Sequence, residues 1–245
     1  MKITVITVAY NAAPVLERTL QSVLGQQGVN LEYLVLDGGS TDGTTDLLRR
    51  YDNQLSGWTS EPDRGIYDAM NKGLHHATGD VVAFLNADDV YAHDQVLAQV
   101  IAEFADPAVG AAYGDLVYVD AQNRVTRHWQ GQPFSPNFFA RGHAPAHPAF
   151  FARRDLLLKT GGFRTELTLA ADYELMFRAL NTPDFISRYF PEVLVRMRAG
   201  GASNNGWRSV LQGLREMTSA WTLNGKNAPL TLWLRILHRR LGQRR

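Results

Sequence analysis

The 245-residue chain contains no cysteine, so disulfides, thiolate metal sites, iron–sulfur clusters and a cysteine nucleophile are all excluded. That absence fits a reducing compartment. No apolar run approaches the roughly 18 residues that suggest a membrane span. The opening Met1–Val8 stretch is rich in β-branched residues and reads as a strand, not as the apolar core of a signal peptide. A soluble chain, at most peripheral to a membrane, is expected. Internal repeats are also missing. So are the phosphate-loop spacing GxxxxGK[ST] and any GxGxxG after the first strand, which weighs against a dinucleotide site. Acidic residues are missing after Glu216. The tail carries Lys226, Arg235, Arg239, Arg240, Arg244 and Arg245, six positive charges against a total of +1, so residues 1–216 carry −5. A basic tail on a mildly acidic body points the tail toward an anionic surface, a membrane or a nucleic acid.

What is present is ordinary for a folded protein. An apolar fraction of 45% with 20% charged residues excludes a disordered chain, and 21 glycines with 10 prolines exclude a collagenous one. The length suits one large α/β domain, or a domain with a small appendage.

The first half alternates strand and helix. Ile3–Ala9 is a strand that stops at Tyr10-Asn11. Pro14 suits a first helical position, and Leu16, Leu20, Val23 and Leu24 recur on one face. Leu31–Leu36 is a second strand, ending in Asp37-Gly38-Gly39-Ser40, and a helix follows through Leu47, Leu48 and Tyr51. A short strand near Trp58 leads to Glu61-Pro62-Asp63-Arg64-Gly65. Residues 66–77 read as a helix, and Val81–Leu85 as a buried strand ending in Asn86-Ala87-Asp88-Asp89. In the second half, a helix over 94–104 precedes a strand pair, 111–119 and 125–129. A loop-like stretch over 133–148 leads into a strand at Phe150. A helix spans 169–180 and a strand 187–196. Residues 198–206 read as a flexible segment, and helices over about 207–222 and 230–241 close the chain.

Polar clusters sit where the strands end, which is where open parallel sheets bind ligands. Carboxylates gathered at Asn86-Ala87-Asp88-Asp89 repel one another and favour a divalent cation with oxygen ligands, Mg²⁺ or Mn²⁺; a helix cap is the plainer reading. Asp37-Gly38-Gly39-Ser40 allows close backbone approach to a ligand, or is a capped tight turn. Asp172 lies at the start of an apolar-faced helix, where a cap again competes with chemistry. His147 precedes a proline beside Phe150 and Phe151 and reads equally as a packed loop histidine.

In combination the order is specific: strand-Tyr-Asn, strand-Asp-Gly-Gly-Ser, Glu-Pro-Asp-x-Gly, Asn-Lys-Gly, strand-Asn-Ala-Asp-Asp, His-Pro-x-Phe-Phe, then Asp-Tyr-Glu. This resembles the family-two glycosyltransferases of the GT-A fold, in the bacterial branch that builds capsular, exopolysaccharide or lipopolysaccharide chains. The resemblance runs over residues 1–205. It implies an α/β fold with a Rossmann-like, mostly parallel central sheet flanked by helices. Residues 1–110 would form a nucleotide-binding half and 111–205 an acceptor half, followed by a basic helical extension over 206–245.

The resemblance also implies roles. Ala9, Tyr10, Asn11 and Asp37 hold the nucleotide base. Asn86 and Ala87 serve the ribose, and Asp88 and Asp89 a divalent cation, Mn²⁺ or Mg²⁺. Asn71 and Lys72 join the nucleotide side, and Arg64, His147 and Arg198 the acceptor or phosphate side. Asp172 is the general base of an inverting single displacement. The donor is a nucleotide sugar, with UDP favoured, and the acceptor a glycan or lipid-linked glycan. Two departures stand out: Asn86 replaces the first aspartate of the DxD pattern, and Ala171 stands where relatives have a glutamate before the base. A sugar-phosphate nucleotidyltransferase and an inactive carbohydrate-binding relative are the alternatives. Leu230, Leu232, Trp233, Leu234, Ile236, Leu237 and Leu241 interleave with Arg235, Arg239 and Arg240, so the last helix either packs on the domain or anchors peripherally on an anionic bilayer. A cytoplasmic location, peripheral on the inner face of the membrane, follows from lipid-linked acceptors; nucleic acid is not expected as a partner.

Overall fold

Branched side chains on both faces make Lys2–Ala9 (β1) a strand buried on both sides, as parallel strands covered by helices are. In a computed structural model, which describes residues 1–198 and 206–243, β1 lies inside a nine-stranded sheet. The segment 199–205, expected to be flexible, and Arg244-Arg245 lie outside the described residues. β1 pairs in parallel with Asn30–Asp37 (β2) on one edge and with Val81–Phe84 (β4) on the other, and Gly57–Ser60 (β3) extends the sheet beyond β2. The crossovers are helices: Ala13–Leu24 (α1), Thr44–Tyr51 (α2) and Ile66–His76 (α3).

Beyond β4 the direction reverses. Phe150–Arg153 (β8) runs antiparallel to β4 and to Val109–Val119 (β6). Ile186–Arg198 (β9) runs parallel to β6, and the two-residue Val90–Tyr91 (β5) closes the far edge antiparallel to β9. Val125–Trp129 (β7) forms the expected hairpin on β6. The remaining helices are Val96–Glu103 (α4), Arg154–Lys159 (α5), Ala171–Leu180 (α6), Trp207–Leu223 (α7) and Leu232–Gly242 (α8). Neither α5 nor β5 stands out in the sequence: six residues are too few for a periodic signal, and a two-residue strand exists only through its partner.

The period of two sorts β1 between two cores. Ile3 and Val5 pack with Leu16, Leu20 and Val23 of α1, Leu47 and Leu48 of α2 and Val100 of α4. Ile6 and Val8 pack on the opposite face with Met70 and Leu74 of α3 and the apolar side of α6. α3 sits so close to the sheet that a Cβ on Gly73 would meet Ile6 Cγ2 at 2.6 Å and Leu36 at 3.0 Å. α7 and α8 share this second core: Leu214, Ala220, Trp221, Leu232 and Ile236 are all buried in it. Arg239 donates to the Gln130 carbonyl and to His143, and Arg235 to the Ala140 carbonyl, which holds α8 against the 130–143 segment.

Candidate active site

The parallel strands place their polar ends together. Ala9 is the register partner of Asp37, and Leu85, directly after β4, donates its amide to the Ile6 carbonyl. Asn11 takes a left-handed backbone (φ 48°), which asparagine tolerates better than most residues. Its Oδ1 accepts the Thr41 amide (3.0 Å), and its own amide donates to Ser40 Oγ (2.7 Å). Asp37 is buried. It accepts the amides of Gly39 (3.2 Å) and Ser40 (2.9 Å) and the hydroxyls of Ser60 (2.6 Å) and Ser40. Its carboxylate thus organises the loop that carries it. Above this loop Tyr10 is 68% exposed. A Cβ on Gly38 would fall 3.5 Å from the Tyr10 ring and 2.6 Å from Asp63 Oδ2, so only glycine lets the Asp63 carboxylate and the Tyr10 ring close on the loop.

At the end of β4 the chain turns tightly, with the Asp89 amide donating to the Asn86 carbonyl (3.1 Å). Asp88 is partly exposed and Asp89 fully buried. Burial pushes the Asp88 carboxyl up, opposed by the charge of Arg198. Burial, then the neighbouring Asp88, pushes the Asp89 carboxyl well up. Among the described residues neither Asp89 side-chain oxygen nor Asn86 Oδ1 makes a well-formed hydrogen bond, although the Asn86 side chain and the Arg198 backbone approach the Asp89 carboxyl and oppose that rise. Arg198, at the end of β9, is thereby brought to the acidic turn.

Asp172 is the second residue of α6. Its Oδ1 accepts the Tyr173 amide (2.8 Å) and the Tyr67 hydroxyl (3.3 Å). Tyr67 is mostly buried, and burial with the Asp172 charge holds its phenol protonated and donating. The Tyr67 ring stacks on Phe163 at 5.5 Å. Phe163 in turn meets Phe84 edge-on at 4.9 Å and His147 at 5.8 Å. His147 also stacks on Phe84 (5.8 Å), and its Nε2 is buried without a partner. Burial pushes the imidazole pKa down, against the pull of Asp172. This aromatic box connects the strand that ends in the acidic turn to the residue that holds Asp172.

Three expected residues have partners within the chain. Asn71 spends both ends of its amide on Phe163, donating to its carbonyl (2.8 Å) and accepting its amide (2.8 Å), so it secures the aromatic box and is not free for a nucleotide. Lys72 pairs with Glu61 (2.9 Å), and Arg64 with Asp68 (2.7 Å). Both line a cavity of about 590 Å³ between α3 and residues 161–166. Tyr67 and Phe163 carry no sequence signal of their own role, although Tyr67 lies inside the Ile66–Gly73 motif.

Among the described residues no group of three or more His, Asp or Glu side chains gathers as a metal cage. Asn86, Asp88 and Asp89 nonetheless gather side-chain oxygens at one tight turn, with Asn86 Oδ1 and the Asp89 carboxyl lacking well-formed hydrogen bonds. This set fits Mg²⁺ or Mn²⁺, which take one or two carboxylates and fill the other positions with substrate phosphates and water.

The chain is similar to known proteins in sequence and fold. Residues 4–161 match the family model described as "Glycosyl transferase family 2". Over 180 residues the chain is 34% identical to an uncharacterized glycosyltransferase of Mycobacterium tuberculosis, covering 72% of this chain and 68% of that one. A PGL/p-HBAD biosynthesis glycosyltransferase of Mycobacterium bovis is 32% identical over 205 residues, 82% of this chain and 78% of its own. Among solved structures, the mannosyltransferase PcManGT from Pyrobaculum calidifontis, in complex with GDP-Man and Mn²⁺, superposes with a TM-score of 0.70 at 25% identity, over 97% of this chain and 68% of that one. Staphylococcus aureus TarS 1–349 in complex with UDP gives a TM-score of 0.69 at 20% identity, over 99% and 72%, and shares the fold. A GT-A sheet with helices on both faces and polar loops at its strand ends, matched by these relatives, makes the chain a glycosyltransferase belonging to glycosyl transferase family 2.

Proposed function

We propose that the protein moves a sugar from a nucleotide-sugar donor, a UDP-sugar by preference, to a hydroxyl of a glycan or lipid-linked glycan in cell-surface polysaccharide biosynthesis, with inversion at the anomeric carbon. The observation that carries this reading is the cluster of buried side-chain oxygens of Asn86 and Asp89 beside Asp88, joined by the aromatic box to an anchored carboxylate, Asp172. The complex of PcManGT with GDP-Man supports a nucleotide-sugar donor, and a relative named for PGL/p-HBAD biosynthesis supports a biosynthetic sugar transfer.

In this reading the base lies against the exposed Tyr10 ring, beside the loop that Asp37 holds in shape. Asp88 and Asp89 would hold a divalent cation, and such an ion would supply positive charge to the departing diphosphate. Arg198 adds positive charge on the same side. Asp172 takes the proton of the acceptor hydroxyl as its oxygen bonds the anomeric carbon and the bond to the diphosphate breaks. One displacement inverts the centre without a covalent nucleophile. The test is metal removal with Asp88→Ala. EDTA is expected to abolish turnover and Mn²⁺ or Mg²⁺ to restore it. Asp88→Ala should lower the rate roughly 10²–10³-fold, the scale of losing one preorganised charge-stabilising group. Its unfolding free energy should stay within about 0.5 kcal/mol of wild type, because the side chain lies at a partly exposed loop. Full activity in EDTA contradicts the metal role.

A peripheral membrane contact belongs to the same reading. No described helix is long and apolar enough to cross a membrane. Leu232 and Ile236 of α8 face the core, whereas Leu230, Trp233, Leu234 and Leu237 are exposed with Arg235, and Arg239 and Arg240 are half-buried on the Ile236 side. Apolar side chains entering an anionic interface, with about 1 kcal/mol from each nearby basic residue, give salt-sensitive binding. Truncation would remove core residues, so substitution is the sounder test. Wild type should cosediment with vesicles containing phosphatidylserine at low salt, and a Leu230→Glu/Leu234→Glu variant should not. Equal binding by the two contradicts the contact.

A further inference from the structure

α6 presents Asp172, yet Ala170 at its N-cap has no side chain able to cap the helix. The cap comes from the C-terminal part of the chain. Glu216 of α7 reaches across so that its Oε2 accepts three successive amides, Thr168 (3.1 Å), Leu169 (2.7 Å) and Ala170 (3.0 Å). Its Oε1 accepts the Thr168 hydroxyl (2.9 Å) and Gln212 Nε2 (3.0 Å). Burial opposes ionisation, but the bonds from Leu169, Gln212 and Thr168 outweigh it and hold the carboxyl below its ordinary range, so Glu216 is charged at neutral pH. Amides converging on one anion at a helix start form the geometry that fixed backbone dipoles favour.

The body of α6 does not depend on this cap. Glu174 is bonded to Arg164, Arg178 and Asn224, and the Tyr173 hydroxyl accepts Trp221 Nε1 (3.1 Å). Phe177 packs on Trp221 at 4.9 Å. What Glu216 fixes is the entry turn, two to four residues before Asp172, with Gln212 Nε2 adding one bond to the Thr168 hydroxyl (2.6 Å).

We propose that Glu216 is a positioning residue for sugar transfer, acting through the 168–170 turn to aim Asp172 at the acceptor hydroxyl, so that α7 forms part of the reaction site. This rests on the reading of Asp172 as the base. Glu216 itself touches none of the reacting groups. The spacing of its bonds requires a carboxylate, or at least a carbonyl oxygen, at that point.

The test uses the full chain and the best donor and acceptor from a panel of UDP-, GDP- and dTDP-hexoses and octyl glycosides. In Glu216→Ala, kcat should fall at least tenfold per folded molecule. The nucleoside diphosphate Kd should stay within twofold. Amide exchange at 168–170 should accelerate at least tenfold while the amides of 175–180 keep their protection. Glu216→Gln retains an oxygen for the three amides and should return kcat to within about threefold of wild type. Should Glu216→Ala fail to fold, Glu216→Asp, shorter by one methylene, gives the same readouts. A kcat within threefold of wild type in Glu216→Ala, or no recovery in Glu216→Gln, overturns the proposal. Asp172→Asn separates the two ideas. A low rate there with a wild-type rate in Glu216→Ala overturns the positioning role alone, whereas a wild-type rate in Asp172→Asn overturns both.

Discussion

Asp172→Asn is expected to lower the transfer rate roughly 10²–10⁴-fold, the usual contribution of a general base. The amide has nearly the shape of the carboxylate. Its oxygen keeps the bonds from the Tyr173 amide and the Tyr67 hydroxyl, so α6 stays in place. What disappears is the lone pair that accepts a proton from the acceptor. The loss should therefore appear in kcat, with nucleoside diphosphate affinity unchanged, because the proposed nucleotide site lies at the ends of β1, β2 and β4, away from Asp172. Steady-state transfer kinetics with calorimetry check this. Near-normal transfer by Asp172→Asn reduces Asp172 to a helix-start residue held by Tyr67.

The second large effect is on stability. Glu174→Ala should cost roughly 3–5 kcal/mol, the range for removing one partner of a buried ion pair. Glu174 has no exposed surface, and it accepts Arg164 Nε (3.0 Å), Arg178 Nε (2.8 Å) and Nη2 (2.6 Å), and Asn224 Nδ2 (2.9 Å). Its loss leaves the largely buried Arg178 guanidinium with only the Thr160 and Gly162 carbonyls. The same carboxylate ties α6 to the 160–164 loop and to the C-terminal end of α7, so three segments loosen together. Urea unfolding of the two proteins measures the difference. A change under about 1 kcal/mol contradicts a buried network and means that solvent reaches Arg178.

The contrast between these two neighbours explains what a sequence discloses. Strand β1 and Asp37 are legible because a run of branched residues ending in glycine and aspartate has local causes: period, turn chemistry and strand length. The acidic turn after β4 is legible for the same reason. β8 is not legible as the antiparallel bridge between β4 and β6, because its pairing lies in partners far along the chain. Glu216 is likewise silent: a glutamate on an amphipathic helix reads as a solvated face until the fold brings Thr168–Ala170 to it. Asn71 shows the opposite failure. It sits inside the specific Ile66–Gly73 motif, but its amide bonds the Phe163 backbone, a partner 92 residues away. Motif membership marks Asn71 as constrained without revealing what constrains it. Asp172 lies between these cases, since its place at a helix start is readable while Tyr67 and Phe163, which hold it, are tertiary facts.

The most direct test of the account is nucleoside diphosphate release from UDP-, GDP- and dTDP-sugars, with Mn²⁺, in the presence and absence of octyl glycoside acceptors, for wild type and Asp172→Asn. Wild type is expected to release the diphosphate from one donor class, faster with acceptor, and to yield a glycoside of inverted anomeric configuration by NMR, while Asp172→Asn loses the acceptor-dependent part. Retained configuration, or acceptor-dependent release that survives in Asp172→Asn, contradicts an inverting transferase that uses this carboxylate.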